Sequence, residues 1–139
     1  MNDKDFSATI TVDKTPEQAF AAINDVRGWW TGEIEGPTDQ LGQEFTYRYG
    51  DVHYSKMKLV ELVPGKRIAW LVTESRLGFT KDKEEWNGTT VTFDIAKKGD
   101  KTEVVFTHVG LKPEIECFGK CSNAWGSYVR GSLRARIEA

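Results

Sequence analysis

Apolar and polar residues alternate along most of this chain, while two stretches repeat their apolar positions every three or four residues. Phe6 to Val12 is apolar at every second position, which predicts a strand with one buried face. Thr15-Pro-Glu-Gln18 then predicts a helix start, because threonine is a common N-cap, proline suits the first helical position, and glutamine can complete a capping box. A short turn or helical fragment at Trp29-Trp30 follows, so two short helices are expected after the first strand.

From Glu33 onward the pattern predicts short strands joined by tight turns. Gly50-Asp51 predicts a two-residue hairpin turn, and Pro64-Gly65 predicts a type II turn in which glycine takes the positive dihedral angle. Arg76 to Asn87 has no clean period and is predicted to be an exposed loop. Because every strand connection after residue 36 is short, the strands are expected to form an antiparallel meander that curls.

The last run, Glu114 to Glu138, predicts one long amphipathic helix. Its apolar positions recur every three or four residues at Ile115, Phe118, Cys121, Trp125, Val129 and Leu133. Such a helix has one place to bury its apolar stripe, the concave face of the curled sheet. A helix laid across a curved sheet leaves a cavity between the two, and cavities of this kind bind ligands.

Bulk composition narrows the class of protein. The 139 residues fit one domain spanning 1–139. Nineteen basic against twenty-one acidic residues give a formal charge of −2, which disfavours nucleic-acid binding. No run approaches the roughly 18 apolar residues of a membrane span, and no signal peptide precedes the first strand. We therefore expect a cytoplasmic protein without membrane insertion, whose unusual feature is its 5 Trp, 4 Tyr and 7 Phe.

Four segments together resemble a known superfamily. They are the opening strand with its Thr-Pro-Glu helix, Val63-Pro-Gly-Lys-Arg-Ile-Ala-Trp70, Thr102-Glu-Val-Val-Phe-Thr-His-Val-Gly-Leu111, and the helix that carries Trp125. These resemble START-like domains, also called SRPBCC or birch-pollen-allergen-like helix-grip domains. Within that superfamily the chain most resembles small bacterial homologues of the activator of heat shock protein 90 ATPase, which share the His-x-Gly-Leu-like strand end and a tryptophan in the closing helix.

The resemblance implies an α+β helix-grip fold, in which a curved seven-stranded antiparallel sheet wraps around a long C-terminal helix and encloses a hydrophobic cavity. It does not imply one ligand, because members of the superfamily include lipid carriers, polyketide cyclases, hormone receptors and chaperone regulators.

Aromatic side chains with a polar tip are the candidate ligand-binding residues. Buried indole, phenol and imidazole groups each want a hydrogen-bond partner, whereas a dry core is more easily built from Leu and Phe. Core packing remains the alternative for each of them, since large aromatics also fill a sheet of this size. The candidates are Trp30, Tyr47, Trp70, Trp86, His108, Trp125 and Tyr128.

Two histidines and one carboxylate bear on catalysis. His108 is in register with Val104 and Phe106 and is expected to face the helix, either as a neutral core residue or as a proton-transfer group. Glu74 shares a strand face with Ile68, Trp70 and Val72, so it is a candidate inward partner for His108, unless it lies past the sheet edge. His53, beside the hairpin turn, is expected near a rim and exposed to solvent.

Other chemistry has little support in the sequence. There is no nucleophile elbow, phosphate-binding glycine loop, zinc-protease helix or EF-hand string. Cys117 and Cys121 lack a second ligand cluster, so we expect free thiols and no metal site. No cofactor is predicted.

Three functions remain open from the sequence. The first is non-enzymatic binding of a small hydrophobic or aromatic ligand between the C-terminal helix and the sheet, by a monomer or a dimer. The second, implied by the resemblance, is a protein-interaction module related to chaperone ATPase activators, with a chaperone or other protein as partner. The third is an enzyme like a polyketide cyclase or aromatase that uses His108.

Overall fold

Seven antiparallel strands form one sheet in the computed structural model, which describes residues 5–30, 32–78, 86–112 and 118–139. The strands are β1 (Phe6–Val12), β2 (Glu33–Glu35), β3 (Glu44–Tyr49), β4 (His53–Val63), β5 (Arg67–Leu77), β6 (Thr90–Lys98) and β7 (Lys101–Val109). Their order across the sheet is β1-β7-β6-β5-β4-β3-β2. The first strand thus pairs with the last, and the others follow the chain as the predicted meander.

The helices also match the prediction. After β1 come α1 (Pro16–Asn24) and a 3-10 turn (Val26–Gly28). The C-terminal helix runs without a break through α2 (Phe118–Ser127), a π-helical segment (Tyr128–Leu133) and α3 (Arg134–Glu138). The predicted helix start at Glu114 lies outside the described residues. The α+β helix-grip fold is confirmed, and none of the helices in the described ranges is long and apolar enough to cross a membrane.

The start of α1 is fixed by a complete capping box. The Thr15 hydroxyl accepts a hydrogen bond from the Gln18 backbone N–H at 3.1 Å, and the Gln18 side-chain oxygen accepts one from the Thr15 N–H at 3.0 Å. Pro16 occupies the first helical position, where no backbone donor is needed. The three residues therefore set where the helix begins and how the chain leaves β1.

Replacing Thr15 by alanine is expected to reduce the free energy of unfolding by about 1 kcal/mol, because the Gln18 backbone N–H in the first turn loses its side-chain acceptor. Thr15→Ser, which keeps the hydroxyl, is the matched control and should stay near wild type. Urea denaturation followed by circular dichroism measures both variants. Equal stability of the alanine and serine variants would contradict this role for the cap.

The C-terminal helix keeps one face toward the sheet because of its π-helical segment. Its buried residues are four apart, at Cys121, Trp125, Val129, Leu133 and Ile137. In an α-helix, a step of four residues turns about 40° past a full turn, so such a stripe would rotate away from the sheet. The wider i→i+5 turns of the segment Tyr128–Leu133 counter that rotation. As a result, the helix buries its stripe along its whole length.

Two bulges interrupt the pairing of β4 with β5. Lys56 pairs with Glu74 and Met57 with Val72, so Thr73 is an extra residue in β5. A second shift between Leu59 and Glu61 makes Val60 the extra residue in β4. An extra residue reverses which side chains face the core beyond it.

The predicted loop at Arg76 to Asn87 is partly wrong, because β5 continues to Leu77, whose side chain is buried. Leu77 pairs with His53, so the end of β5 belongs to the sheet. Trp86 is buried as well. Residues 79–85 of the predicted loop lie outside the described ranges.

All five tryptophans are buried in one continuous aromatic cluster. Trp30 lies at its centre, with its ring centroid 6.2 Å from that of Trp29, 6.0 Å from Trp70 and 4.9 Å from Trp125. Trp125 in turn stacks on Trp86 at 5.9 Å. The cluster joins the 3-10 turn, β5 and the C-terminal helix, so the core and the walls of the cavity are the same set of rings.

Candidate functional site

A cavity of about 450 Å³ lies between α2 and the hairpin of β3 and β4. Its volume is within the usual range for small-molecule sites, roughly 300–1,000 Å³. Most of the lining is aromatic, and the exposed residues Tyr49, Val52, Lys120 and Ala124 mark its mouth. The lining consists of Trp30, Tyr47, Tyr49, Val52, His53, Trp86, Lys120, Cys121, Ala124, Trp125 and Tyr128.

Five of the seven candidate ligand-binding residues line this cavity: Trp30, Tyr47, Trp86, Trp125 and Tyr128. Trp70 is fully buried behind Trp30, with the two rings 5° from parallel. His108 is also fully buried and lies behind Trp86 and Trp125. Neither of these two is among the lining residues, so they support the walls from the core.

One wall of the cavity is a stacked pair of rings from two elements. Trp30 follows the 3-10 turn, where its backbone N–H donates to the Val26 carbonyl at 2.9 Å. The ring centroids of Trp30 and of Tyr47 in β3 are 3.8 Å apart, and the interplanar angle is 13°. Stacking of this kind adds about 0.5–1.5 kcal/mol beyond the area buried. The two rings therefore hold each other flat against the cavity.

Trp86 forms a second wall, although the sequence pattern placed it in a loop. Its ring stacks on Trp125 at 14°, and it meets His53 and His108 edge to face at 4.5 and 4.6 Å. These contacts bury Trp86 to 3% exposure. A tryptophan within a charged segment of the sequence indicates a buried position, because an indole ring left exposed to water contributes nothing to stability.

His108 supports this wall through a chain of hydrogen bonds. The Trp125 indole N–H donates to His108 Nδ1 at 3.1 Å, and an indole nitrogen can only donate. Nδ1 is therefore unprotonated, and in the neutral ring Nε2–H donates to the Thr89 hydroxyl at 2.8 Å. That hydroxyl donates to the Trp86 carbonyl at 2.6 Å. Burial, with a smaller contribution from nearby His53, lowers the pKa of His108 to about 3, so the ring is neutral at pH 7.

The inward placement of Glu74, and with it the His108–Glu74 pair, was wrong. The extra residue Thr73 reverses the face of the strand, so Ser75 and Leu77 are buried while Glu74 is exposed and paired with Lys56 in the register. Both ring nitrogens of His108 are already occupied by Trp125 and Thr89.

His53 is the histidine that lines the cavity, and its expected solvent exposure was wrong. The hairpin turn has three residues, Gly50 to Val52, so His53 pairs with Tyr49 as the first residue of β4. Its Nε2 lies 2.6 Å from the buried Ser55 hydroxyl. Nδ1 makes no hydrogen bond to the part of the chain that the structure describes. Burial lowers the pKa of His53 to about 4, so this ring is also neutral at pH 7.

The phenol of Tyr47 is a further neutral polar group in the cavity. Burial raises its pKa above the usual value, and Tyr128, to which it is hydrogen-bonded, raises it further. Trp30 acts in the opposite direction, because an N–H donated to the phenol oxygen favours the phenolate. Tyr47 is therefore protonated at pH 7 and shares its hydrogen bonds with two other lining residues.

Metal-binding groups do not gather at this site in the described residues. No group of three or more His, Cys, Asp or Glu side chains there could hold an ion. Cys121 lines the cavity as a buried cysteine, whereas Cys117 lies outside the described residues. The lining residues that the sequence analysis missed are Tyr49, Val52, His53, Lys120, Cys121 and Ala124. They are neighbours, on the hairpin or on the helix, of residues it did identify.

The sequence model of the family described as Activator of Hsp90 ATPase homolog 1-like protein matches residues 13–138. None of the curated proteins matches the chain.

Among solved structures, the Aha1 dimer of Colwellia psychrerythraea is similar, with 23% identity, a TM-score of 0.77, and coverage of 96% of both chains. Mll3558 of Rhizobium loti has 17% identity, a TM-score of 0.74 and 95% coverage of both chains. CalU16 of Micromonospora echinospora has 15% identity and a TM-score of 0.69, covering 94% of this chain and 74% of that one. At these identities the likeness shows the fold.

Proposed function

The chain belongs to the Activator of Hsp90 ATPase homolog 1-like family, and from that premise we propose that it binds a small hydrophobic or aromatic molecule in the cavity between its C-terminal helix and its sheet. The observation that carries the proposal is the cavity of about 450 Å³ whose walls are stacked indole and phenol rings. A chain that needed these rings for packing alone would gain more by closing the space, because unfilled apolar volume is destabilising.

The chemistry of the walls supports a binding role more than a catalytic one. His108 is enclosed and fully hydrogen-bonded, and His53 has a pKa lowered to about 4, which makes it a weak base at pH 7. Rings that already stack on one another keep their positions without a ligand. Such preorganised walls reduce the entropy lost on binding.

Tryptophan fluorescence tests the proposal directly, because Trp30, Trp86 and Trp125 line the cavity. Titration with palmitate, naringenin and emodin is expected to quench or shift the emission with at least one of these probes, and to saturate at one molecule per chain. An emission spectrum unchanged by all three would count against a ligand-binding cavity.

A variant that fills the cavity gives the matched experiment. Ala124→Phe adds a ring at a lining position on α2 and is expected to weaken binding about 10-fold or more, since the ligand must then compete for the same space. Ala135→Phe makes the same change at an exposed position on α3, away from the cavity, and should bind as wild type does. Isothermal titration calorimetry measures both. Equal loss in the two variants would contradict binding at this site.

A second candidate is regulation of a chaperone ATPase through a protein surface, which the description of the family favours. In that case the purified chain would change the ATP hydrolysis rate of heat shock protein 90, and Ala124→Phe would leave the change intact, because a surface contact does not need an open cavity. The dimer of the Colwellia relative makes self-association a further property to measure, by sedimentation, for this chain.

A further inference from the structure

The polar groups of the cavity are uncharged and lie next to one another. The ring centroids of Tyr47 and His53 are 5.1 Å apart, and the Tyr47 phenol is hydrogen-bonded to Tyr128. Burial keeps the Tyr47 phenol protonated and the His53 imidazole neutral at pH 7. Among the lining residues that the structure describes, Lys120 alone carries a formal charge, and it lies exposed at the mouth.

These neutral groups still have hydrogen-bonding capacity. A phenol offers one donor and also accepts, so Tyr128 keeps capacity beyond its bond with Tyr47. His53 uses Nε2 toward Ser55, and the role of Nδ1 as donor or acceptor depends on which way the Ser55 hydroxyl points. A ligand hydroxyl, which both donates and accepts, satisfies either arrangement. An ether or a bare ring would not.

Charge on a ligand is unfavourable in this cavity, whereas a neutral hydroxyl group is favourable. A carboxylate placed beside Tyr128 and His53 would leave water, while Lys120, the charged side chain among the described lining residues, lies at the exposed mouth. Burying an ion away from a partner is unfavourable. Stacked walls at Trp30 and Trp86 favour a flat ring over an alkyl chain, because aromatic pairs gain energy beyond the area they bury. Shape, hydrogen bonding and charge therefore indicate the same kind of molecule.

We propose that the cavity selects uncharged aromatic molecules that carry a hydroxyl group, with the hydroxyl hydrogen-bonded to Tyr128 and His53 and the ring packed against Trp30 and Trp86. This rests on the proposed ligand-binding function and specifies the ligand class of the same cavity. In this proposal His53 and Tyr128 orient the ligand by hydrogen bonds, whereas Trp70 and His108 lie behind the cavity walls and do not contact it.

Three probes of one shape test the proposal: 2-naphthol, naphthalene and 2-naphthoate, titrated at pH 7 by tryptophan fluorescence and calorimetry. We expect 2-naphthol to bind about 10-fold more tightly than naphthalene, the value of one well-formed hydrogen bond. The ionised 2-naphthoate is expected to bind on the order of 100-fold more weakly than 2-naphthol. Equal binding of naphthalene, or tighter binding of 2-naphthoate, overturns this selectivity while leaving a ligand-binding cavity standing. Failure of all three to bind overturns both.

Single-atom and ring-conserving variants locate the hydroxyl site. Tyr128→Phe and His53→Phe are each expected to remove most of the preference for 2-naphthol over naphthalene. Tyr54→Phe removes a phenol of β4 that is not among the lining residues and should keep the full preference. The preference is a ratio measured within each variant, so a change in overall stability does not mimic it. A full preference in both Tyr128→Phe and His53→Phe overturns the proposal.

Discussion

Lowering the pH from 7 to 5 is expected to reduce the free energy of unfolding by roughly 4 kcal/mol, through the buried His108 and the half-buried His53. The pKa is lowered from 6.5 to about 4 for His53 and to about 3 for His108, in both cases mainly by burial. Between pH 6.5 and 4 the unfolded chain therefore binds up to two protons that the folded chain does not. The unfolded state is favoured as the pH falls, and the stability present above pH 6.5 is lost.

The composition of the chain makes this effect easy to isolate. It has two histidines, and the pKa values of ordinary carboxyl groups lie near 4, so little else titrates between pH 7 and 5. Urea denaturation at half-unit pH steps should give a slope near 2.5 kcal/mol per pH unit at pH 5. The free energy of unfolding of a typical domain is about 5–15 kcal/mol in total. The expected loss of roughly 4 kcal/mol by pH 5 is therefore a large fraction of this total.

Two variants separate the histidines. His53→Phe removes one titrating ring and should halve the slope at pH 5. His108→Gln keeps an acceptor for Trp125 and a donor for Thr89, and the double variant, which has no histidine left, should show almost no slope. NMR signals of the two wild-type rings should stay at their neutral positions down to pH 5. Ring signals that titrate near pH 6.5, or a wild-type stability independent of pH across this interval, would show the expectation to be wrong.

Local signals in the sequence were sufficient for most of the fold. The capping box at Thr15 and Gln18 is a contact between residues three apart, and the turn at Pro64-Gly65 depends on two dihedral angles, so neither needs tertiary information. The alternation in β1 and β7 has no interruption, and the predicted buried residues Val104, Phe106 and His108 are buried. The pairing of the first strand with the last was not predicted, because alternation along the chain does not say which strands are neighbours.

The errors have one physical source, a local change in the period of the chain. Thr73 inserts one residue into β5, and the two-residue repeat then assigns Glu74 to the wrong face. The third residue of the hairpin turn has a similar effect on His53. Irregularities of this kind are common next to functional sites, and both of these bear on the cavity or its candidate chemistry.

Replacing Trp125 by alanine is expected to have the other large effect, reducing the free energy of unfolding by about 3–5 kcal/mol. This ring is 2% exposed, lies 4.7 Å from Phe106, stacks on Trp86 and closes one side of the cavity. It is also the point at which the C-terminal helix is hydrogen-bonded to β7, through His108 Nδ1 at 3.1 Å. Thermal or urea denaturation measures the loss, and binding of the fluorescence probes should be lost with it.

Trp125→Phe separates the hydrogen bond from the volume, and Trp70→Phe is its matched control. Both changes remove the same atoms from a fully enclosed ring, but the Trp70 indole nitrogen has no hydrogen-bond partner within the described residues, whereas that of Trp125 does. Trp125→Phe leaves His108 Nδ1 buried and unpaired, so it should be more destabilising than Trp70→Phe by about 1–3 kcal/mol.

Adding His108→Leu to Trp125→Phe should recover part of that difference, because both polar atoms of the bond are then gone. The Thr89 hydroxyl loses the N–H that His108 donates but still donates to the Trp86 carbonyl, so the second wall of the cavity should stay in place. Its persistence can be followed by near-ultraviolet circular dichroism of the stacked indoles. If the two single phenylalanine variants were equally stable, the bond to His108 would contribute nothing, and the position of the helix would depend on ring packing alone.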